Sequence, residues 1–142
     1  MNNEKGWRFI GNERKYLDEV LASGFGAKET GSMNERLERK FGELHKQEYC
    51  ITANSGTSTL HMALNAYGIK TGDEVILPAL SIRMCGFAIW QCGGTPVFAD
   101  VLEDTFLIDP KDIKRKITSK TKAILPVHMY GNVCNMSEIM QI

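Results

Sequence analysis

The 142 residues of this chain match the size of one domain or part of one, roughly 100 to 200 residues. Hydrophobic residues make up 43% and charged residues 24%, a globular balance that excludes a mostly disordered chain. Lys plus Arg equals Asp plus Glu at 17 each, so no net charge attracts the chain to nucleic acid or anionic lipid. No apolar run approaches the about 20 residues that span a bilayer. We therefore expect a cytoplasmic protein that binds neither nucleic acid nor membrane.

The cysteines and histidines are scattered, without the close spacing that metal ligands usually show. Free cysteine in apolar surroundings behaves as a small hydrophobic residue. We predict reduced, structural thiols and no metal site. The residues concerned are Cys50, Cys85, Cys92, Cys134, His45, His61 and His128.

Two amphipathic helices are predicted in the first 48 residues. Apolar residues recur at helical spacing over residues 12–23, where Asn12 can cap the start. A glycine-flanked loop follows at residues 25–30. The second helix starts at Ser32, which has the spacing of a capping box with Glu35. We assign residues 1–48 to an N-terminal helical segment.

From residue 49 onward, predicted strands and helices alternate. Strands are predicted at residues 49–53, 74–77, 96–101 and 122–127, and helices at 56–67, 81–91, 109–117 and from 136 to the last residue. Such repeats indicate an α/β fold with a mainly parallel sheet covered on both faces, three layers in all. Four strands make a thin sheet, and the last predicted helix has no stop signal. We therefore expect residues 49–142 to be the first part of a larger domain, truncated at its C-terminus.

The turn at residues 54–59, Asn-Ser-Gly-Thr-Ser-Thr, joins the first predicted strand to a helix. Small residues at a helix N-terminus leave backbone N–H groups unpaired, and the helix dipole adds positive potential there. The turn is therefore a candidate phosphate site. An ordinary Ser/Thr helix cap is the alternative that spacing alone favours. The turn matches neither GxGxxG nor the P-loop pattern.

Two further segments follow predicted strands at the edge where parallel α/β sheets place ligands. The first is residues 78–82, which contain Ser81 and Ile82. The second is residues 127–131, in which His128 and Tyr130 could contact a substrate. Capping and packing are equally good interpretations of His128 and Tyr130.

Together these segments resemble the DegT/DnrJ/EryC1/StrS sugar aminotransferases, pyridoxal-phosphate enzymes of the aspartate-aminotransferase fold (fold type I). Each matching piece is short, but their order and spacing over about 130 residues are specific to the family. The pieces are residues 10–13, 20–24, 31–41, 54–57, 72–76, 94–100, 108–110, 117–118, 121–124, 127–131 and 136.

The resemblance implies pyridoxal 5'-phosphate as the cofactor. In the family, the Ser-Gly-Thr turn holds the cofactor phosphate, which corresponds to Ser55, Gly56 and Thr57 here. An aromatic residue usually stacks on the pyridine ring at the position of Ile82, where an aliphatic side chain loses the aromatic pair geometry worth roughly 0.5 to 1.5 kcal/mol. Arg83 also departs from the small residue usual at its position.

The resemblance further implies amino transfer from an amino acid, usually glutamate, to a nucleotide-linked keto sugar in polysaccharide or natural-product sugar synthesis. Family members are usually homodimers. Their Schiff-base lysine and the aspartate at the pyridine nitrogen follow later in the chain, and no residue here matches either position. Lys120 and Lys122 precede or begin a strand, away from its carboxyl end. We therefore predict no catalytic residue here and an N-terminal fragment that is inactive alone.

Three other functions are alternatives to this one. A pyridoxal-phosphate sugar dehydratase of the same family replaces the Schiff-base lysine with histidine, at a position this sequence does not contain. A non-catalytic remnant would keep Ser55, Gly56 and Thr57 for an anion and nothing more. A nicotinamide-cofactor domain is disfavoured because the first strand-helix turn lacks the glycine fingerprint.

Overall fold

The computed structural model describes residues 11–23 and 31–142. These residues belong to two units, Met1–Thr52 and Ala53–Ile142. The loop predicted at residues 25–30 and the start of the family resemblance at Ile10 lie outside the described residues.

The first unit contains the two predicted helices, α1 (Glu13–Ala22) and α2 (Met33–His45). Asn12 precedes α1, but its side chain makes no capping hydrogen bond. Ser32 does cap α2, because its Oγ accepts from the Glu35 backbone N–H at 3.2 Å. The Glu35 carboxylate in turn accepts from the Gly31 amide. The sequence pattern thus located both helices, and the capping box predicted the start of the second.

The strand predicted at residues 49–53 is wrong. This segment has no strand structure, and no described residue joins it in a β-ladder. Thr52 instead donates through its backbone N–H and its hydroxyl to the Glu38 carboxylate, at 2.7 and 2.9 Å. These hydrogen bonds lower the pKa of Glu38, the one from the backbone most. A β-strand exists only where a neighbouring strand pairs with its backbone groups, which a local sequence pattern cannot supply.

The second unit is built on a parallel sheet with the order β2-β1-β3. Its strands are β1 (Glu74–Pro78), β2 (Thr95–Ala99) and β3 (Thr121–Ile124), and its helices are α3 (Gly56–Ala66), α4 (Met84–Gln91), α5 (Pro110–Lys116) and α6 (Met136–Ile139). A short 3-10 turn lies at Met129–Gly131. The three later predicted strands are thus confirmed, with shifted ends.

Alternate residues of the central strand β1 face two separate cores. Val75 and Leu77 pack into a cluster with residues of α3 and α4. Ile76, between them, packs with residues of α5 and α6. Because successive strand residues point to opposite faces, the sheet carries helices on both sides. The predicted three-layer α/β/α class is therefore confirmed.

The outer strand β2 has a proline in its interior. The backbone N–H of Thr95 donates to the Asp73 carbonyl at 2.8 Å, so residues 95, 97 and 99 direct their backbone groups toward β1. Pro96 alternates with them and faces the open edge. Its missing N–H therefore costs no ladder hydrogen bond, which explains why proline is tolerated here.

Two element boundaries differ from the prediction in ways that matter for the site. Helix α4 begins at Met84 rather than Ser81, which leaves residues 79–83 as an irregular connection after β1. Strand β2 ends at Ala99 rather than Val101, and Val101 forms an antiparallel bridge with Ile108. Both connections leave the same carboxyl edge of the sheet because the strands are parallel.

Candidate anion and cofactor site

The predicted phosphate turn forms the N-terminus of α3, and its hydroxyls are mostly engaged within the turn. Ser55 is the N-cap, since its Oγ accepts from the Ser58 backbone N–H at 3.2 Å. The Ser58 hydroxyl donates to Asn54 Oδ1 at 2.7 Å. Ser58 has only one hydroxyl proton, so in the 3.0 Å contact between the two serine oxygens Ser55 is the donor. The hydroxyl of Ser55 therefore stabilises the turn and does not point a free proton outward.

The backbone amides of Gly56 and Thr57 are available to a ligand. Among the described residues, none accepts a hydrogen bond from either amide or from the Thr57 hydroxyl. The space beside Gly56 is also open, because a Cβ added there would meet no heavy atom within 4 Å. Three donors at one helix end thus have no hydrogen-bond partner among the described residues.

The surroundings of these donors suit a phosphate. Helix α3 has 11 residues, long enough for its aligned peptide dipoles to place partial positive charge at Gly56 and Thr57. The helix ends shortly before β1 begins, so its first residues lie toward the carboxyl ends of the strands. Parallel α/β folds bind ligands at that edge. The cap interpretation holds for Ser55, and the anion interpretation fits the two residues that follow it.

Ile82 lies in the irregular connection between β1 and α4. Its side chain is 62% exposed, so it is free to cover a bound group. Among the described residues, no hydrogen bond joins it to the turn at Ser55. Burial in the core raises the pKa of the nearby Cys85 thiol, an effect that hydrogen bonding to the Cys85 backbone and to Ser81 opposes.

A groove of about 430 Å³ opens beside this connection, between α4 and the outer strand β2. Its walls are mainly apolar and include Phe87, Trp90 and Phe98, and Ser81 and Arg83 stand at one end. Ile82 lies between those last two residues in the sequence but does not line the groove.

His128 acts in the structure as a loop clamp. Its Nδ1 accepts from the Cys134 backbone N–H at 3.1 Å, and the Cys134 thiol donates to the Val127 carbonyl at 3.3 Å. The imidazole makes no capping hydrogen bond to the 3-10 turn that follows it, so the bond to Cys134 closes the loop instead. In the neutral ring this bond leaves the proton on Nε2.

Tyr130 stands at the tip of the same loop and is 75% exposed. Its ring packs edge to face against Phe106, with ring centroids 6.3 Å apart and planes at 81°. Sequence reasoning did not select Phe106. No sequence pattern predicts this contact, because Phe106 and Tyr130 follow different strands and meet only in the folded chain.

Neither a metal site nor a membrane-spanning helix is found in residues 11–23 and 31–142. These residues contain no group of three or more His, Cys, Asp and Glu residues placed to hold a metal ion. None of their helices has both the length and the apolar character needed to cross a bilayer.

Many α/β domains bind phosphate at a helix N-terminus beside the carboxyl edge of a parallel sheet. The chain belongs to the DegT/DnrJ/EryC1/StrS aminotransferase family, whose sequence profile matches residues 9–142.

Relatives extend the likeness over almost the whole chain. It is 39% identical to the GDP-perosamine synthase of Vibrio cholerae over 132 residues, which cover 93% of this chain and 36% of that protein. For the GDP-perosamine synthase of Escherichia coli O157:H7 the identity is 41%, with the same coverage. Among solved structures, NtdA from Bacillus subtilis with the bound cofactor PMP is 38% identical at a TM-score of 0.82, covering 90% of this chain and 29% of that one.

These comparisons confirm the family and the pyridoxal-phosphate transferase fold that the sequence resemblance implied. The family is dependent on pyridoxal phosphate, and NtdA was solved with PMP, the amino form of that cofactor. The chain spans about 36% of the length of the curated relatives named above.

Proposed function

We propose that this chain supplies the phosphate anchor for pyridoxal 5'-phosphate in a sugar aminotransferase. The observation that carries the proposal is the set of unpartnered donors at the start of α3, on a chain of this family. The amides of Gly56 and Thr57 and the Thr57 hydroxyl would bind the phosphate oxygens. Ser55 would hold the turn in shape through its two hydrogen bonds with Ser58.

The remaining candidate residues take roles consistent with their exposure. Ile82 would cover one face of the pyridine ring by dispersion contacts. Tyr130 would contact the substrate, and His128 would keep the loop that carries Tyr130 in one conformation through Cys134. When bound, the cofactor supplies the electron sink for amino transfer.

We further propose that the substrate is a nucleotide-linked keto sugar and that the nitrogen donor is an amino acid, with glutamate favoured. The name GDP-perosamine synthase, carried by the relatives from two bacteria, supports an amino sugar on a nucleotide. Synthesis of surface polysaccharide or natural-product sugars, a cytoplasmic location and a homodimer belong to the same proposal. The domain division proposed is 1–48 and 49–142.

The 142-residue chain should bind the cofactor without turning over substrate. The backbone N–H of Glu74 donates to the Lys120 carbonyl, which places Lys120 at the amino end of the sheet, with Lys122 beside it in β3. Neither lysine can therefore reach a cofactor at the carboxyl edge. Borohydride treatment of the chain with pyridoxal phosphate should label neither lysine above the level found on the other exposed lysines, as peptide mass spectrometry would show.

Phosphorus NMR tests the anchor directly. Titrating the chain into pyridoxal phosphate should shift the ³¹P resonance saturably, and inorganic phosphate should compete. Thr57→Val removes the hydroxyl with nearly the same shape and should weaken binding, while Thr57→Ser keeps the donor and should bind as the parent does. Equal binding by both variants would show that the Thr57 hydroxyl does not bind the phosphate. A ³¹P signal that never responds would overturn the anchor itself.

A further inference from the structure

Two exposed aromatic residues of the second unit hold backbone angles that aromatic residues avoid. Phe106 has a φ of +59° and Tyr130 a φ of +54°. Glycine or asparagine normally occupies this left-handed region, and a bulky side chain there is a strained outlier. Such outliers persist where the surrounding structure enforces them and they cluster at binding sites. Lys46 is the other described non-glycine residue with positive φ, but it ends helix α2, where this conformation is common.

Hydrogen bonds hold both loops in place. The loop that carries Phe106 closes through the Phe106 backbone N–H to the Leu102 carbonyl and the Leu102 N–H to the Leu107 carbonyl, each at 2.9 Å. Leu107 and Ile108, which follow Phe106, are buried in the core cluster that contains Ile76. The Tyr130 loop is closed by His128 and Cys134 as described above. The hydrogen bonds within the two loops therefore hold both rings in defined positions.

The two loops meet across the central strand. Phe106 follows β2 and Tyr130 follows β3, and these strands lie on either side of β1. Their edge-to-face contact therefore bridges the carboxyl edge of the sheet, where the proposed cofactor anchor also lies. Phe106 remains 47% exposed and Tyr130 75% exposed, so the pair keeps ring surface open to a ligand.

We infer that Phe106 and Tyr130 form a stacking platform for the nucleobase of the substrate. This inference rests on the proposed function, which gives the substrate a nucleotide. A base is a flat π system, and stacking a base on an aromatic side chain is a common means of holding nucleotides. Tyr130 contacts the base, and Phe106 is a positioning residue that supports the Tyr130 ring by the edge-to-face pair. A role in ligand binding explains why aromatic residues occupy two positions whose backbone angles suit glycine.

A GDP-hexose such as GDP-mannose is the probe, with saturating inorganic phosphate present so that the turn at Gly56 is occupied. Saturation-transfer NMR on the chain should give the strongest transfer to the guanine H8 proton. Calorimetry should show Tyr130→Ala binding the probe about tenfold more weakly, equivalent to ~1.4 kcal/mol. Tyr130→Phe keeps the ring and should bind like the parent. Tyr67→Ala is the matched control, because Tyr67 is similarly exposed at 70% but caps the far end of α3.

Phe106→Gly separates binding from loop structure. Glycine suits the φ of +59°, so this variant should keep or raise the melting temperature of the chain. It should nevertheless bind the probe several-fold more weakly, since Tyr130 loses its support. Phe106→Tyr keeps an aromatic ring at this position and should bind the probe like the parent.

Three outcomes would overturn the platform: unchanged affinity in both Tyr130→Ala and Phe106→Gly, strongest transfer to the hexose protons, or an equal loss in Tyr67→Ala. Failure here with a normal ³¹P titration would leave the cofactor anchor standing. If only the ³¹P titration fails, the cofactor anchor is rejected. The stacking platform is then accepted or rejected on the nucleotide-binding results.

Discussion

Replacing Gly56 by proline removes one amide of the proposed anchor and leaves the helix intact. Gly56 is the first residue of α3, where proline is favoured because its N–H has no helical partner. The preceding Ser55 is extended, with φ −161° and ψ 159°, which is the conformation a following proline requires. Gly56→Pro should therefore not lower the melting temperature.

The loss of affinity can be estimated from the donors that remain. A hydrogen bond to a charged group contributes about 1.5 to 3 kcal/mol. Removing the Gly56 amide, one of three donors, should weaken pyridoxal-phosphate binding at least about tenfold. Calorimetric titration gives the affinity, and far-UV circular dichroism with a thermal melt verifies the fold.

Gly56→Ala is the matched control for this variant. It keeps the amide, and its added Cβ meets no heavy atom within 4 Å, so its affinity should match that of the parent. If Gly56→Pro keeps its fold and binds as tightly as Gly56→Ala, the Gly56 amide does not contact the phosphate and the proposed anchor is refuted.

Three further predictions concern stability. Gly94→Ala should lower the free energy of unfolding by about 1 to 3 kcal/mol in urea titrations, because the new Cβ would lie 2.8 Å from Ile69 Cγ2 in the core. Ser55→Ala should cost ~1 kcal/mol through loss of the helix cap, and Ser55→Asn should retain most of it. The Asp112 carboxylate accepts chiefly from the Asp100 amide, which holds its pKa below the ordinary 3.8. Its stabilisation is therefore complete above the unfolded-state pKa and lost as pH falls through the folded one, so Asp112→Asn should flatten the acid-side loss of stability.

Each of these predictions has a control or a contradicting result. Gly86→Ala adds a Cβ whose nearest contact is 4.0 Å away, so it should not destabilise the chain. A Ser55→Ala variant as stable as Ser55→Asn would mean that the Ser58 contact contributes nothing. An acid unfolding curve for Asp112→Asn with the same slope as the parent would assign the titration to other carboxyl groups.

Local sequence patterns were enough to locate most helices and three strands. The apolar runs of β1 and β3 and the helical spacing of α2 and α3 reflect side-chain periodicity, which depends on the element alone. The 49–53 segment has the same apolar character and is not a strand. Pairing decides that case, and pairing depends on residues distant in sequence.

In the candidate site, too, the sequence predicts the local structure, and the folded chain decides the contacts. The small hydroxyl residues at 55–57 predicted the helix N-terminus, and the folded turn shows which donors are spent inside it. Ser55 gives both its proton and a lone pair to Ser58, whereas Gly56 and Thr57 keep their amides. Sequence alone could not make this distinction, because each of the three residue types can donate to an anion.

The sequence by itself determined the family, through the order and spacing of its motifs, and the α/β class, through the local periodicity of its strands and helices. Only the tertiary structure decided that His128 clamps its loop through Cys134 and that Phe106 meets Tyr130 above the central strand. Parallel strands bring together loops that are far apart along the chain, and the geometry of those meetings is set by packing of the whole sheet and its helices.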